Sequence, residues 1–489
     1  MHAIGVAREQ AVQPFRELSS ISEIQQWLRE RAAASPEGTW ITTPRVDVTR
    51  IRERRFPTRA ELDAAAPKHP VVFSWQYASR QIQIINTAAL RAAKITRDTP
   101  DPTGGKIVKY ATGEPTGVLE DPRGLLAKFL VATPPSPEAV LDVLTQVHRA
   151  YNEVGITSIS ERRTNADGWR TYQKLKEQGR LSVRATLTIG LGGDGSVEGS
   201  EKFIGSLPFK FSDGDDWVRI GPLKIGVDGG VLYGTAYLRE PWGTQAAALY
   251  GITDPSYRGT LQNTPEKIRN MIRTGHRLGW QMSSHVTGDA GVDVVLDAVE
   301  AANAESPITG RRYTLIHAYF PTADAVRRAA ALGVCVDTQP AWYYKDAEAI
   351  VTALGESRLK NFIGVADWLR GGVKVALNTD HMSGLDPNHS LNPFNPFLTM
   401  GTAVTRKTEG GRIIGPEQRI SREDALRMMT IDAAWLSFDE KRKGSIEIGK
   451  LADLAVLSDD FMTCEADRIK DIHVLETVLG GKVVYEREP

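Results

Sequence analysis

Cysteine is nearly absent from this chain. Cys335 and Cys464 are the two among 489 residues, far apart and outside any CxxC motif. That excludes a disulfide scaffold and a cysteine-rich zinc site, and it fits a reducing cytoplasm. An excess of one charge is missing too, since 60 Lys plus Arg face 60 Asp plus Glu. Balanced charge argues against nucleic acid or an acidic membrane surface as the main partner. No apolar run approaches the ~20 residues of a membrane span. The opening ten residues lack the basic region, apolar core and cleavage site of a secretory signal. Internal repeats and low-complexity tracts are also lacking.

What is present reads as an ordinary folded protein, with 41% hydrophobic and 25% charged residues. The length suits two to four domains, or one large α/β barrel with additions. A core of that size needs no disulfides. Residues 1–39 read as loop and helix, with Ile21, Ile24 and Leu28 at helical spacing. Residues 40–121 are irregular and rich in Pro, Gly and Arg, as expected of an inserted subdomain or long loops. Residues 122–438 hold the main unit. There Ser136-Pro137 is a helix start, followed by Val140, Val143, Leu144, Val147 and Tyr151 on one face. Strand-like runs follow at 155–159, 183–189, 223–227, 281–285, 313–317, 334–338 and 374–378. Amphipathic helices intervene, as at 264–278, 292–302 and 323–332.

Such alternation predicts a parallel sheet with right-handed crossovers, its strands buried on both faces. A closed barrel needs eight strands. Seven are counted, and the expected place of the first is just before residue 1. A capping box at Ser421 and Asp424 opens a further helix. The pattern then turns to β in 439–489, with strands expected at 444–457 and 477–485 and a hairpin at Gly480-Gly481. So small a β segment should pair with strands from elsewhere.

Active sites of parallel barrels lie at the C-terminal strand ends. Four residues qualify: Lys224, His285, His317 and Asp380. The two histidines are 32 residues apart, about one strand-helix unit, and Asp380 lies 63 residues further on, about two units. Two imidazoles and a carboxylate suit a zinc-like cation with an open position for water. Other signals are weaker. Gly190-Leu-Gly-Gly-Asp-Gly195 lacks the Lys and Ser/Thr of a phosphate-binding loop. His69, His148, His276, His389 and His473 lie off the strand ends and read as structural or solvated. Glu161 reads as either mouth-lining or structural, and Asp228 as substrate-binding or part of a turn. Tyr233, Tyr237, Trp242, Trp342 and Tyr343 are candidates for an apolar pocket or for core packing.

Several longer motifs go together: His285-Val-Thr-Gly-Asp289, Gly415-Pro-Glu-Gln-Arg-Ile-Ser-Arg-Glu-Asp-Ala-Leu426, Gly444-Ser-Ile-Glu-Ile-Gly-Lys-Leu-Ala-Asp453 and Gly480-Gly-Lys-Val-Val484. With them the chain resembles the amidohydrolase superfamily end to end, in particular amidohydrolase family 3, the YtcJ-like branch that includes N-substituted formamide deformylases. The resemblance implies a TIM-like (β/α)8 barrel with one or two metal ions and a small composite β-sandwich built from both chain ends. It implies His285, His317 and Asp380 as metal ligands, with Lys224 as the fourth-strand ligand, carboxylated in many such enzymes. His2 aligns with the second histidine of an HxH pair. The first histidine, the first barrel strand and part of the sandwich would then precede Met1. The chain departs from the family in Ile316, where a Glu often stands, and in His381 after Asp380, which would touch substrate or pack.

The expected function is metal-dependent hydrolysis of a non-peptide carbon–nitrogen bond, in an amide or formamide of a small molecule, by metal-activated water. Asp380 and His317 would be catalytic, with zinc or a similar divalent metal as cofactor. Asp228, His381 and Trp342 would contact substrate. A homodimer in the cytoplasm is the expected setting. Two rivals stand beside this reading: a truncated, catalytically impaired or merely ligand-binding barrel, and a Schiff-base lyase using Lys224.

Overall fold

The computed structural model describes residues 1–77, 80–122, 124–130 and 133–488. All seven strand-like runs join one parallel sheet in chain order. They are Ser158–Thr164, Arg184–Gly190, Val218–Gly226, Met282–Val286, Thr314–His317, Cys335–Thr338 and Val375–Leu377. Their apolar runs are buried along nearly their whole length, as in Leu223 and Ile225 or Leu315 and Ile316, because helices cover the outer face. Those helices start where local chemistry demands. The Ser136 and Thr264 side chains accept the N–H of Ala139 and Lys267, and Pro137 and Pro265 take the first helical position. In the helix Pro265–Arg277 the buried positions Ile268, Met271 and Ile272 form the inward stripe.

Ser158–Thr164 and Val375–Leu377 are the two edges of this sheet, and no eighth strand joins it among the described residues. The edges nonetheless approach one another at the mouth. The Met1 carbonyl accepts the Arg162 N–H at 2.8 Å, and the His2 N–H donates to the His381 carbonyl at 2.9 Å. One short stretch of backbone therefore spans the gap, and the sheet curls in the manner of a TIM-like barrel.

Residues 40–121 form a five-stranded sheet ordered Ile41–Thr42, Val71–Tyr77, Arg80–Ile85, Pro115–Glu120 and Lys106–Lys109. Alternation along the strand Val71–Tyr77 divides its side chains between two cores. Val71, Phe73 and Trp75 join the barrel's core, whereas Val72 packs with Ile85, Leu90, Ile107 and Leu119 in a smaller one.

The C-terminal segment differs from expectation in two ways. Only Leu454–Leu457 of the stretch 444–457 is strand. The residues before it form turns in which Ile446 and Ile448 are exposed, since no neighbouring strand offers a ladder there. The hairpin of Val474–Leu479 and Lys482–Glu486 turns on Gly480 and Gly481, with φ of 58° and 79°. Together these strands make a three-stranded antiparallel sheet that shares no ladder with other strands among the described residues. It is seated on the barrel instead. The Thr477 hydroxyl donates to the Asn152 carbonyl at 2.6 Å, and a buried ion pair joins Arg184 to Asp453 at 2.6 Å. No helix among the described residues is long and apolar enough to cross a membrane.

Candidate active site

His285 and His317 end adjacent parallel strands and meet. His317 Nε2 lies 2.9 Å from His285 Nδ1. Their far nitrogens are committed to acceptors. His285 Nε2 lies 3.0 Å from the Gly229 carbonyl oxygen, and His317 Nδ1 lies 2.7 Å from Gln339 Oε1. The orientation of Gln339 follows from its other bonds: Nε2 donates to the Asp337 carbonyl at 3.2 Å, and Oε1 also accepts the Tyr319 hydroxyl at 2.9 Å. Carbonyl oxygens only accept, so the far nitrogens are placed to donate, with the Tyr319 hydroxyl also 3.1 Å from His317 Nδ1, and in that tautomer the two facing nitrogens are the ones open to a cation. Burial pushes the His317 imidazole down to about 4 and His285 well below its usual value. An imidazolium at either position is thus disfavoured at neutral pH.

Asp380 and His2 form a second pair, with His2 Nε2 3.4 Å from Asp380 Oδ1. Burial works against ionisation of Asp380, but His2 and His317 beside it hold the carboxyl well below the usual range. Burial likewise lowers His2 to about 4. Lys224 is 6% exposed, and its ammonium has no hydrogen-bonding or ion-pair partner among the described residues. Burial lowers it to about 8, against the opposing pull of Asp380. The Trp342 ring lies over His317, with centroids 5.7 Å apart and planes 29° from parallel, and its buried indole N–H has no hydrogen-bond partner among the described residues.

Backbone strain concentrates in the same place. His317, Ala318 and Asp380 have φ of 81°, 44° and 44°. Non-glycine residues in that region cost about 1–3 kcal/mol each and gather at functional sites.

These donors match a divalent cation in chemistry: neutral imidazoles with their second nitrogens anchored, an ionised carboxylate, and a buried amine in no ion pair among the described residues. The five expected ligands stand as two pairs and a lysine. Among the described residues no three His, Cys, Asp or Glu side chains converge closely enough to enclose an ion. Two nitrogens on one tetrahedral zinc lie roughly 3.3 Å apart, a few tenths more than the histidine pair here.

Other sequence candidates are placed differently. Asp228 is fully buried and turned into the protein. Its carboxylate accepts the backbone N–H of Tyr237, Thr287 and Gly288 at 3.0, 2.9 and 2.8 Å. His381 is also fully buried, with Nδ1 2.9 Å from the Tyr151 hydroxyl and Nε2 2.8 Å from the Gly384 carbonyl, and its ring packs on Phe394. Trp242 and Tyr343 are core residues whose polar atoms bond to backbone carbonyls. Glu161 lies under the mouth, where burial pushes it up to about 7 and it accepts the Tyr172 hydroxyl at 2.8 Å. Gln339 and Tyr319 were not singled out in the sequence. Gln339 directly follows the Cys335–Thr338 strand, so the strand-end rule that selects His285 would also have found it.

The chain is similar along its whole length to the protein YtcJ of Bacillus subtilis (strain 168). They are 28% identical over 496 residues, which cover 100% of this chain and 87% of YtcJ. It is 29% identical over 478 residues to the N-substituted formamide deformylase of Arthrobacter pascens, covering 96% of this chain and 83% of that one. Among solved structures, an uncharacterised metal-dependent hydrolase from Pyrococcus horikoshii matches in fold. Its TM-score is 0.64 at 22% identity, over 95% of this chain and 85% of that chain. A family model described as the amidohydrolase family matches residues 1–485, so this chain is a member of the amidohydrolase family of hydrolases.

Proposed function

We propose that this amidohydrolase is a metal-dependent hydrolase of a carbon–nitrogen bond other than a peptide bond, acting on an amide or formamide of a small molecule. The observation that carries the reading is the pair of facing imidazole nitrogens of His285 and His317, 2.9 Å apart with both far nitrogens bonded. Similarity to an N-substituted formamide deformylase supports the substrate class. His285 and His317 would hold zinc or a similar ion, with Asp380, His2 and Lys224, plain or carboxylated, around it. A divalent cation bound there supplies a Lewis acid for the carbonyl and acidifies water. Gln339 and Gly229 keep the two imidazoles in the tautomers that face it. Asp380, ionised and beside the pair, takes the proton of the attacking water and returns it to the leaving nitrogen. Trp342 covers one face of His317 and keeps water from it.

The test is metal content and turnover together. Purified full-length protein should carry one or two equivalents of zinc or a similar metal and release amine from a panel of N-substituted formamides. Chelation should abolish that release, and added zinc should restore it. Undiminished turnover by metal-free protein would overturn the reading. Lys224 itself favours a second one, because a buried, unpaired amine lowered to about 8 suits Schiff-base chemistry. Borohydride trapping of a carbonyl compound on Lys224 in chelated protein would decide for it.

A further inference from the structure

We propose that Asp337 is a positioning residue for Asp380, which it holds through Asn378 by a chain of hydrogen bonds that starts at Arg162 and crosses the barrel. What Asp380 then does in the reaction rests on the hydrolase reading above.

The chain joins strands that stand far apart in the sheet. Arg162 lies on the edge strand Ser158–Thr164, and Asp337 on Cys335–Thr338, next to the opposite edge. Between them run Arg184–Gly190, Val218–Gly226, Met282–Val286 and Thr314–His317. The Arg162 guanidinium nevertheless donates to Asp337 Oδ2, in a buried ion pair. The other oxygen of that carboxylate, Oδ1, accepts the side-chain amide of Asn378. Asn378 directly follows the last strand, and its own Oδ1 accepts the Asp380 N–H at 2.9 Å. On the far side the Asp380 carbonyl accepts the Asn392 amide at 2.8 Å. The left-handed backbone of Asp380, with φ of 44°, is therefore gripped at both of its peptide groups. The Asp337 carbonyl also accepts Gln339 Nε2, at 3.2 Å, and Gln339 orients His317. One buried aspartate stands behind both residues assigned to the chemistry.

A turn alone does not account for this arrangement. An Asn that accepts the N–H two residues on makes a local turn, and Asp or Ser makes it as well without a remote partner. Withdrawing an ion pair from water is costly, and apolar side chains fill such a space without loss of stability. Donor and acceptor roles give the buried charge its use. A backbone N–H only donates and a carboxylate only accepts, so Asn378 has one permitted orientation, with its NH2 on Asp337 and its oxygen on Asp380. Arg162 occupies one carboxylate oxygen and leaves the other to fix that orientation.

The experiment exchanges one oxygen for an NH2. In Asp337→Asn the guanidinium keeps the remaining oxygen, so two NH2 groups face each other, Asn378 turns over, and the Asp380 N–H loses its acceptor. Adding Asn378→Asp gives both neighbours an acceptor again. In full-length protein, amide hydrogen exchange at Asp380 should quicken at least ~5-fold in Asp337→Asn, the worth of one hydrogen bond, and slow again in the double variant. With zinc and an N-substituted formamide, kcat should fall about 100-fold at near-constant KM, the cost of a misplaced catalytic group, and recover at least ~10-fold in the double variant. A merely structural ion pair would not be repaired by the second substitution. Asn378→Ala should match the single change in both readouts, and it carries the test if Asp337→Asn does not fold. Unchanged exchange at Asp380 in either single variant, or a loss that the double variant does not repair, would overturn the proposal. Protein that shows the exchange changes but hydrolyses no formamide would sink the hydrolase reading and leave this positioning standing.

Discussion

Asp380 holds a left-handed backbone conformation beyond the end of its strand and turns one carboxylate oxygen to His2. Burial alone would favour its neutral form, and the neighbouring imidazoles overcome that, which leaves a carboxylate able to accept a proton across the working range of pH. Asp380→Asn keeps the shape and removes the base. It should lower kcat by at least ~100-fold, the usual worth of a positioned general base. Metal content should be largely retained, because His285 and His317 are untouched. Kinetics with metal analysis checks both, and near-normal turnover would remove Asp380 from that role. Residues of this kind are legible in sequence because a strand end is a local property. Gln339 carries no such mark of its own, since its side chain acquires a purpose only when Oε1 meets His317, 22 residues away.

At the scale of elements, the loop after Val218–Gly226 is clamped to the start of the helix Asp289–Glu305. Asp228 accepts two backbone N–H groups across that junction, from Thr287 and Gly288, and a third from Tyr237 in its own loop, and Gly229, whose carbonyl orients His285, comes next. Gly229 has no room for a side chain, since a Cβ there would stand 2.1 Å from Thr235 Oγ1. Asp228→Ala would strand three buried donors at roughly 1–3 kcal/mol each. It should cost at least ~3 kcal/mol in urea unfolding and lower activity through the loosened His285. A loss below about 1 kcal/mol would contradict the clamp. From the sequence Asp228-Gly229 looked equally like a substrate contact or a turn, because its partners lie 59 and 60 residues away. The stretch 444–453 failed as strand for the converse reason: its local pattern was acceptable, but no ladder stood beside it.

Across the whole molecule, burial of histidines sets a dependence of stability on pH. His148 is fully buried, stacks on Tyr172 with centroids 5.7 Å apart, and has no hydrogen-bond partner at either nitrogen among the described residues. Burial lowers it to about 3, against about 6.5 in the unfolded chain. The unfolded chain therefore binds one more proton between those values, and stability is full above pH 6.5 and falls as pH drops toward 3. From pH 7 to pH 5 this one residue should remove about 2 kcal/mol. His148→Phe should reduce the measured pH dependence by that amount in urea unfolding, and an unchanged dependence would show that the folded state protonates His148. The strand-helix order, the family motifs and the four strand-end residues followed from the sequence by itself, because caps, apolar runs and their spacing act over a few residues. Only the tertiary structure decided which of those residues face one another. It brought His285 against His317, buried Lys224 within the field of Asp380, and turned Asp228 and His381 inward. Each of these depends on partners tens to hundreds of residues away, such as Tyr151 for His381 across 230 residues. Charge and hydrogen-bond satisfaction at that range are settled by packing and not by local sequence.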